Sequence, residues 1–131
     1  MHSNFNFSKN SLKNMEGVDD RLVKLAYLAL KYTRVDFGIP STGGLRDELM
    51  QHKIFLDGKS QCDGRHKKSK HQFGKALDFF AYVGELTYER HYMLEVAIAF
   101  LKASRELDIK IDWGGFWNNF EDLPHIELIE E

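Results

Sequence analysis

The run YERHYMLEVAIAFLKASRELD, residues 88–108, constrains the fold most. Met93, Val96, Ala97, Phe100, Leu101 and Leu107 recur there with helical period, so a helix gathers them on one face that apolar surface from elsewhere must cover. VDDRLVKLAYLALKYT, residues 18–33, offers such a surface through Leu22, Leu25, Ala26, Ala29 and Leu30. Asp19 or Asp20 is placed to cap this second helix and to meet the positive end of its dipole. GLRDELMQHKIFLDG, residues 44–58, predicts a third helix ending near Gly58.

The remaining apolar runs are short. VDFGIP reads as a strand stopped by Pro40, KALDFFAYV as one buried strand, and IKID and HIELI as two more. Residues 57–70, DGKSQCDGRHKKSK, form a polar loop, and the N-terminal MHSNFNFSKNSLKNMEG reads as a short polar arm. Helices and strands mix without regular βαβ alternation. The expected class is therefore α+β: a small, mainly antiparallel sheet flanked by helices, in a single domain over residues 1–131.

Charge and composition narrow the function. A net charge of −2 lacks the basic excess of a dedicated nucleic-acid binder. The single cysteine, Cys62, excludes an internal disulfide. No apolar stretch reaches the ~20 residues needed to span a bilayer, so no membrane insertion is expected, and the N-terminus does not read as a signal peptide. The expected form is a monomer.

The chemistry concentrates in two segments. SKHQFGKALDFF places His71 and Asp78 seven residues apart. An extended strand would separate them by ~23 Å and a helix by ~10 Å. Both are too far for ligands of one metal ion at ~2 Å, so the chain must turn between them. Gly74 tolerates the positive φ that such a turn requires. In EDLPHIEL, Pro124 favours an extended entry into the next strand, with His125 at its start. Two histidines and a carboxylate are a usual set for catalytic zinc, with the fourth position left for water. Asp122, on the adjoining turn, is placed to accept a proton from that water.

Ser69-Lys70-His71-Gln72-Phe73-Gly74-Lys75-Ala76-Leu77-Asp78 matches an S-x-H-x-x-G-x-A-x-D motif. It resembles that of the zinc peptidases that cut bacterial peptidoglycan, a group of D-alanyl-D-alanine carboxypeptidases, dipeptidases and phage L-alanyl-D-glutamate endopeptidases. WGGFWNNFEDLPHIEL is similar to the W-G-G-x-W…D-x-P-H-x-E-L segment of the endopeptidase branch. GGLRDELMQ resembles that branch's segment in which an arginine precedes a glutamine by five positions, here Arg46 and Gln51. The segments occur in the family's order and span almost the whole chain.

The resemblance implies that His71, Asp78 and His125 hold Zn2+, that Asp122 is the catalytic carboxylate, and that Arg46 faces the substrate to stabilise an oxyanion or hold a carboxylate. It places Ser69 and Gln51 at substrate-binding positions and makes Glu127 a partner that orients a ligand from behind. Several alternatives stand beside these roles. Glu121 competes with Asp122 as base, a substrate role for Arg46 with a helix-surface ion pair to Glu48 or another acid, and substrate contact by Ser69 with a turn hydrogen bond. The basic run RHKKSK reads as a solvated loop or as an attraction to the anionic wall. His2, His52, His66 and His91 have no motif partner and are not ligands; Trp113 and Trp117 read as core and cleft walls. Phe116 and Asp47 depart from the family pattern, which commonly has an acidic and a small hydroxyl residue there.

The implied activity is hydrolysis of the peptidoglycan peptide stem at the L-alanyl-D-glutamate bond. The implied setting is a phage endolysin that stays in the host cytoplasm until a holin opens the way to the wall. A D,D-carboxypeptidase or D-alanyl-D-alanine dipeptidase would use the same metal set, and a zinc-stabilised wall-binding module would need no base at Asp122.

Overall fold

The computed structural model describes residues 3–130. Its two principal helices are α2, Asp20–Tyr32, and α4, Arg90–Leu107. They pack on one another through Leu22, Leu25, Ala26 and Ala29 on one side and Met93, Val96, Ala97 and Phe100 on the other, all essentially removed from water. Asp19 caps α2, its carboxylate accepting from the Arg21 backbone N–H. The apolar face of α4 is narrower than expected: Leu101 is half-buried and Leu107 lies in the exposed last turn. α4 ends at Asp108, in the left-handed region at φ 53°.

Two elements differ from expectation near the N-terminus and the arginine segment. The polar arm contains a short helix, α1, Lys9–Asn14, capped by Ser8. Its buried Ser11 hydroxyl accepts from the Ile39 backbone N–H, which anchors it beside β1, Asp36–Gly38. The third helix begins late: α3 spans Glu48–Leu56, with Asp47 as N-cap accepting from the Met50 N–H. Asp47 thus has a structural task, and Arg46 precedes the helix instead of lying on its surface.

The class is α+β, but the strands form two small antiparallel sheets rather than one. KALDFFAYV is divided between them: β2, Ala76–Asp78, and β3, Phe80–Tyr82, join different sheets. The first sheet has the order β1-β3-β4, where β4 is Leu86–Thr87; the second has the order β2-β6-β5, where β5 is Ile111–Trp113 and β6 is His125–Leu128. The switch falls at Phe79, whose N–H donates to the Pro124 carbonyl, just before β6. Its ring stacks on Phe100 at 5.5 Å and meets Phe37 edge-on. A uniformly apolar run carries no periodic signal of such a break. β5 begins two residues later than IKID suggests and ends one residue later, where Trp113 pairs with Ile126 and extends the ladder.

Candidate metal centre

The register of the second sheet builds half of the site: Asp78 on β2 lies directly opposite His125 on β6. His71 arrives from a 3-10 turn, Lys70–Phe73, which Gly74 terminates at φ 70°. A Cβ on Gly74 would stand 2.6 Å from the Gly17 carbonyl oxygen, so positive φ and close approach both require glycine there. Ser69 and Gln72 form a capping box at the start of this turn; the Ser69 hydroxyl accepts from the His71 N–H, and Gln72 Oε1 accepts from the Ser69 N–H. Ser69 lines the cleft while serving as this cap.

Three atoms converge. Asp78 Oδ1 is 3.1 Å from His71 Nε2 and 3.0 Å from His125 Nδ1, and the two nitrogens are 3.3 Å apart. The outer partners fix the tautomers. His71 Nδ1 sits 2.9 Å from the Gly44 carbonyl, which only accepts, so that nitrogen carries the proton. His125 Nε2 sits 2.8 Å from Glu127 Oε1 and donates to that carboxylate. Both inward nitrogens therefore present lone pairs beside a carboxylate oxygen, an arrangement able to hold a cation. Tetrahedral bonds of 2.0–2.1 Å set neighbouring ligands about 3.3–3.4 Å apart, close to this triangle's edges. Among the described residues, His71, Asp78 and His125 are the one group of His, Cys, Asp or Glu side chains arranged to hold a metal ion. The donor set fits.

Without a metal, the same enclosure favours a proton. Burial draws His125 down, but hydrogen bonds to Asp78 and Glu127 outweigh it and push the imidazole up to about 10. Burial tends to raise Asp78, yet the two histidines hold it well below the usual carboxylate range. For Glu127, burial is likewise outweighed by His125 and by Lys70, whose ammonium lies 3.0 Å from Oε2.

Arg46 completes the second layer. It is buried, and its Nη2 donates to Asp78 Oδ2 at 3.0 Å, its Nη1 to Gln51 Oε1 at 3.0 Å and its Nε to the Thr42 carbonyl at 2.7 Å. The alternative ion pair with Glu48 does not form; Glu48 faces Arg65. Gln51 departs from the expected position. It is fully buried, with Nε2 donating to Ser60 Oγ and the Cys62 carbonyl, and it reaches the cleft only through Arg46.

Asp122 Oδ2 stands 3.8 Å from His125 Nδ1. Its turn closes through Asp122 N–H to the Gly114 carbonyl and His125 N–H to the Asp122 carbonyl. A Cβ on Gly114 would come within 2.2 Å of the Asp122 carbonyl oxygen, which accounts for a glycine after Trp113. Burial, then the charge of Asp78, raises the Asp122 carboxyl, against the opposing pull of His125, His71 and Arg46. Glu121 points away and pairs with Arg90 at 2.6 Å.

These groups border a cleft of about 1220 Å3. Trp117 walls it beside His125, ring centres 5.0 Å apart, and donates from Nε1 to Asp112. Trp113 is core, with its Nε1 donating to the Leu123 carbonyl. Phe116 is exposed on the rim. Tyr88, absent from the sequence expectations, also lines the cleft; burial and the nearby Asp78 raise its hydroxyl. No motif marks it. Nor does any residue type mark the Thr42 and Gly44 carbonyls, because main-chain acceptors are the same in every residue. His52, His66 and His91 are not in the cluster, and His2 lies outside the described residues.

Comparison with known proteins agrees with this geometry. Residues 3–129 match the family model described as phage L-alanyl-D-glutamate peptidase. The L-alanyl-D-glutamate peptidase of Escherichia phage T5 is 34% identical over 126 residues, covering 95% of this chain and 89% of that protein. The peptidoglycan L-alanyl-D-glutamate endopeptidase CwlK of Bacillus subtilis (strain 168) is 27% identical over 143 residues, covering 93% and 81%. The crystal structure of the Serratia marcescens L-Ala D-Glu endopeptidase ChiX superposes with a TM-score of 0.82 at 32% identity, covering 95% of this chain and 90% of that one.

Proposed function

The chain belongs to the phage L-alanyl-D-glutamate peptidase family, and from that membership we propose how its cleft works. It is an endopeptidase of peptidoglycan that cuts the peptide stem between L-alanine and D-glutamate. His71, Asp78 and His125 hold a zinc ion; the convergence of three lone pairs on one point is the observation that carries this reading. When bound, the ion supplies Lewis acidity toward the scissile carbonyl and lowers the pKa of a water in the cleft.

The chain's own residues do the rest. Asp122, its carboxyl raised by burial and by Asp78, takes the proton of the attacking water and returns it to the leaving amine of D-glutamate. Arg46 spends three of its five N–H donors on Thr42, Gln51 and Asp78; the others are available to the carbonyl oxygen as it gains charge. Gln51 acts through Arg46 by fixing its guanidinium. Ser69 holds the His71 turn and borders the substrate, and Glu127 keeps His125 in the productive tautomer.

The biological role that suits these parts is host lysis by a phage endolysin, in which a holin gives the enzyme access to the wall. No described helix is long and apolar enough to cross a membrane.

The test is digestion of purified peptidoglycan by zinc-loaded protein, with mass spectrometry of the new termini. New N-terminal D-glutamate is the expected product. Release of free D-alanine instead would assign a carboxypeptidase or dipeptidase, and tight wall binding without any released peptide would assign a binding module.

A further inference from the structure

The lining of the cleft is uneven in charge. α3 and the following segment to residue 68 contribute Lys53, Lys59, Lys67 and Lys68 to the lining, and Asp57 as the one carboxylate from that stretch that borders the cleft. Residues 116–120, Phe-Trp-Asn-Asn-Phe, contribute no charge at all. The four ammonium groups differ from Lys70, which is committed to Glu127 and the Leu128 carbonyl. Among the described residues, none of the four forms an ion pair or side-chain hydrogen bond. Unpaired like charges gathered on one stretch of a concave surface repel each other, and an anionic ligand relieves that repulsion.

The stem peptide offers such a ligand. On the D-glutamate side of the scissile bond the chain continues through the γ-carboxyl, which leaves the α-carboxylate of D-glutamate free. The following residues add further carboxylates, whereas the L-alanine side joins a neutral amide and a sugar. We propose that Lys53, Lys59, Lys67 and Lys68 form a carboxylate-recognition subsite for the D-glutamate side of the stem, fixing which way the peptide lies across the metal centre. The subsite rests on the peptidase reading and deepens it. Exposed ammonium groups act as point charges, so the selectivity appears in substrate binding more than in the chemical step.

The test compares a muramyl tripeptide bearing free carboxylates with the same peptide carrying a D-isoglutamine and an amidated diamino acid. Wild-type protein should cut the carboxylate form with kcat/KM about tenfold higher, mostly through KM. Lys67→Ala/Lys68→Ala and Lys53→Ala/Lys59→Ala should each shrink that ratio by about threefold or more, leaving kcat and metal content unchanged. The same ratio in wild type and both variants overturns the subsite, as does a wild type indifferent to amidation. Binding of both peptides to the Asp122→Ala protein is measured alongside. If wild type cuts neither peptide, the peptidase reading fails; the subsite itself then stands on lysine-dependent preference for the carboxylate form in binding, and falls if the two bind equally.

Discussion

Arg46 and Asp78 meet through one carboxylate oxygen while the histidines use the other: Arg46 Nη2 lies 3.0 Å from Oδ2, and His71 and His125 lie 3.1 and 3.0 Å from Oδ1. The arginine therefore fixes one of the three side chains arranged to hold a metal ion, in addition to facing the cleft. A ligand carboxylate left without its partner is free to rotate or to take a proton, and either weakens the metal site.

Arg46→Ala should lower metal affinity by about 10–100-fold, measured by competition with a chromogenic chelator. Arg46→Lys should recover little, because an ammonium cannot reach Thr42, Gln51 and Asp78 together. Unchanged affinity in Arg46→Ala, with loss of activity alone, would confine this residue to substrate contact.

Asp122→Ala should keep a full complement of zinc and lose about 10²–10⁴ in kcat. The metal content of the purified variant and its turnover on muramyl peptide are the paired readouts. Retained turnover would move the proton transfer to another group, though not to Glu121, which is turned toward Arg90.

Gly74→Ala forces a side chain into positive φ and toward the Gly17 carbonyl at 2.6 Å. A loss of about 1–3 kcal/mol in urea unfolding is expected, together with weaker metal binding, since His71 sits on the turn that Gly74 closes. An unfolding curve like that of wild type would show that the turn relaxes without cost.

The Asp19 carboxylate accepts from the Arg21 backbone, meets the Lys75 ammonium at 2.6 Å, and is held well below its usual 3.8, chiefly by the Arg21 side chain. A lowered carboxyl stabilises the fold fully above the unfolded pKa, and this contribution is lost as pH falls through the folded value. Asp19→Asn keeps a capping oxygen and removes the charge. It should cost about 0.5–1 kcal/mol at pH 7, a gap that narrows below about pH 4 and closes in strong acid. A gap independent of pH between 7 and 2 would assign the loss to packing instead.

The residues that converge on the centre were legible because punctuation accompanies them. Gly74 announces the turn that returns Asp78 to His71, and Pro124 announces the strand that begins at His125. The break at Phe79 was not legible: the apolar residues of KALDFFAYV satisfy either sheet, and only pairing with Gly38 and His125 decides between them. Arg46 was legible as a cleft residue but its hold on Asp78 was not, since a sequence does not say which oxygen of Asp78 remains free. Gln51 was assigned to the substrate because its spacing from Arg46 was visible, while its burial was not. α1 was missed because its six residues carry too few apolar positions to show a period.

The switch of sheets at Phe79 has a bearing on how such a protein can diversify. Asp78 lies one peptide bond from a buried ring packed against Phe100 of α4 and Phe37 of β1, and its backbone is pinned by the Gly43 carbonyl, as that of Phe79 is by Pro124. The segments that shape the cleft, residues 57–68 and 116–120, are connections outside that framework. Mutational drift in those connections can retune which peptides are admitted while the reactive geometry stays inherited.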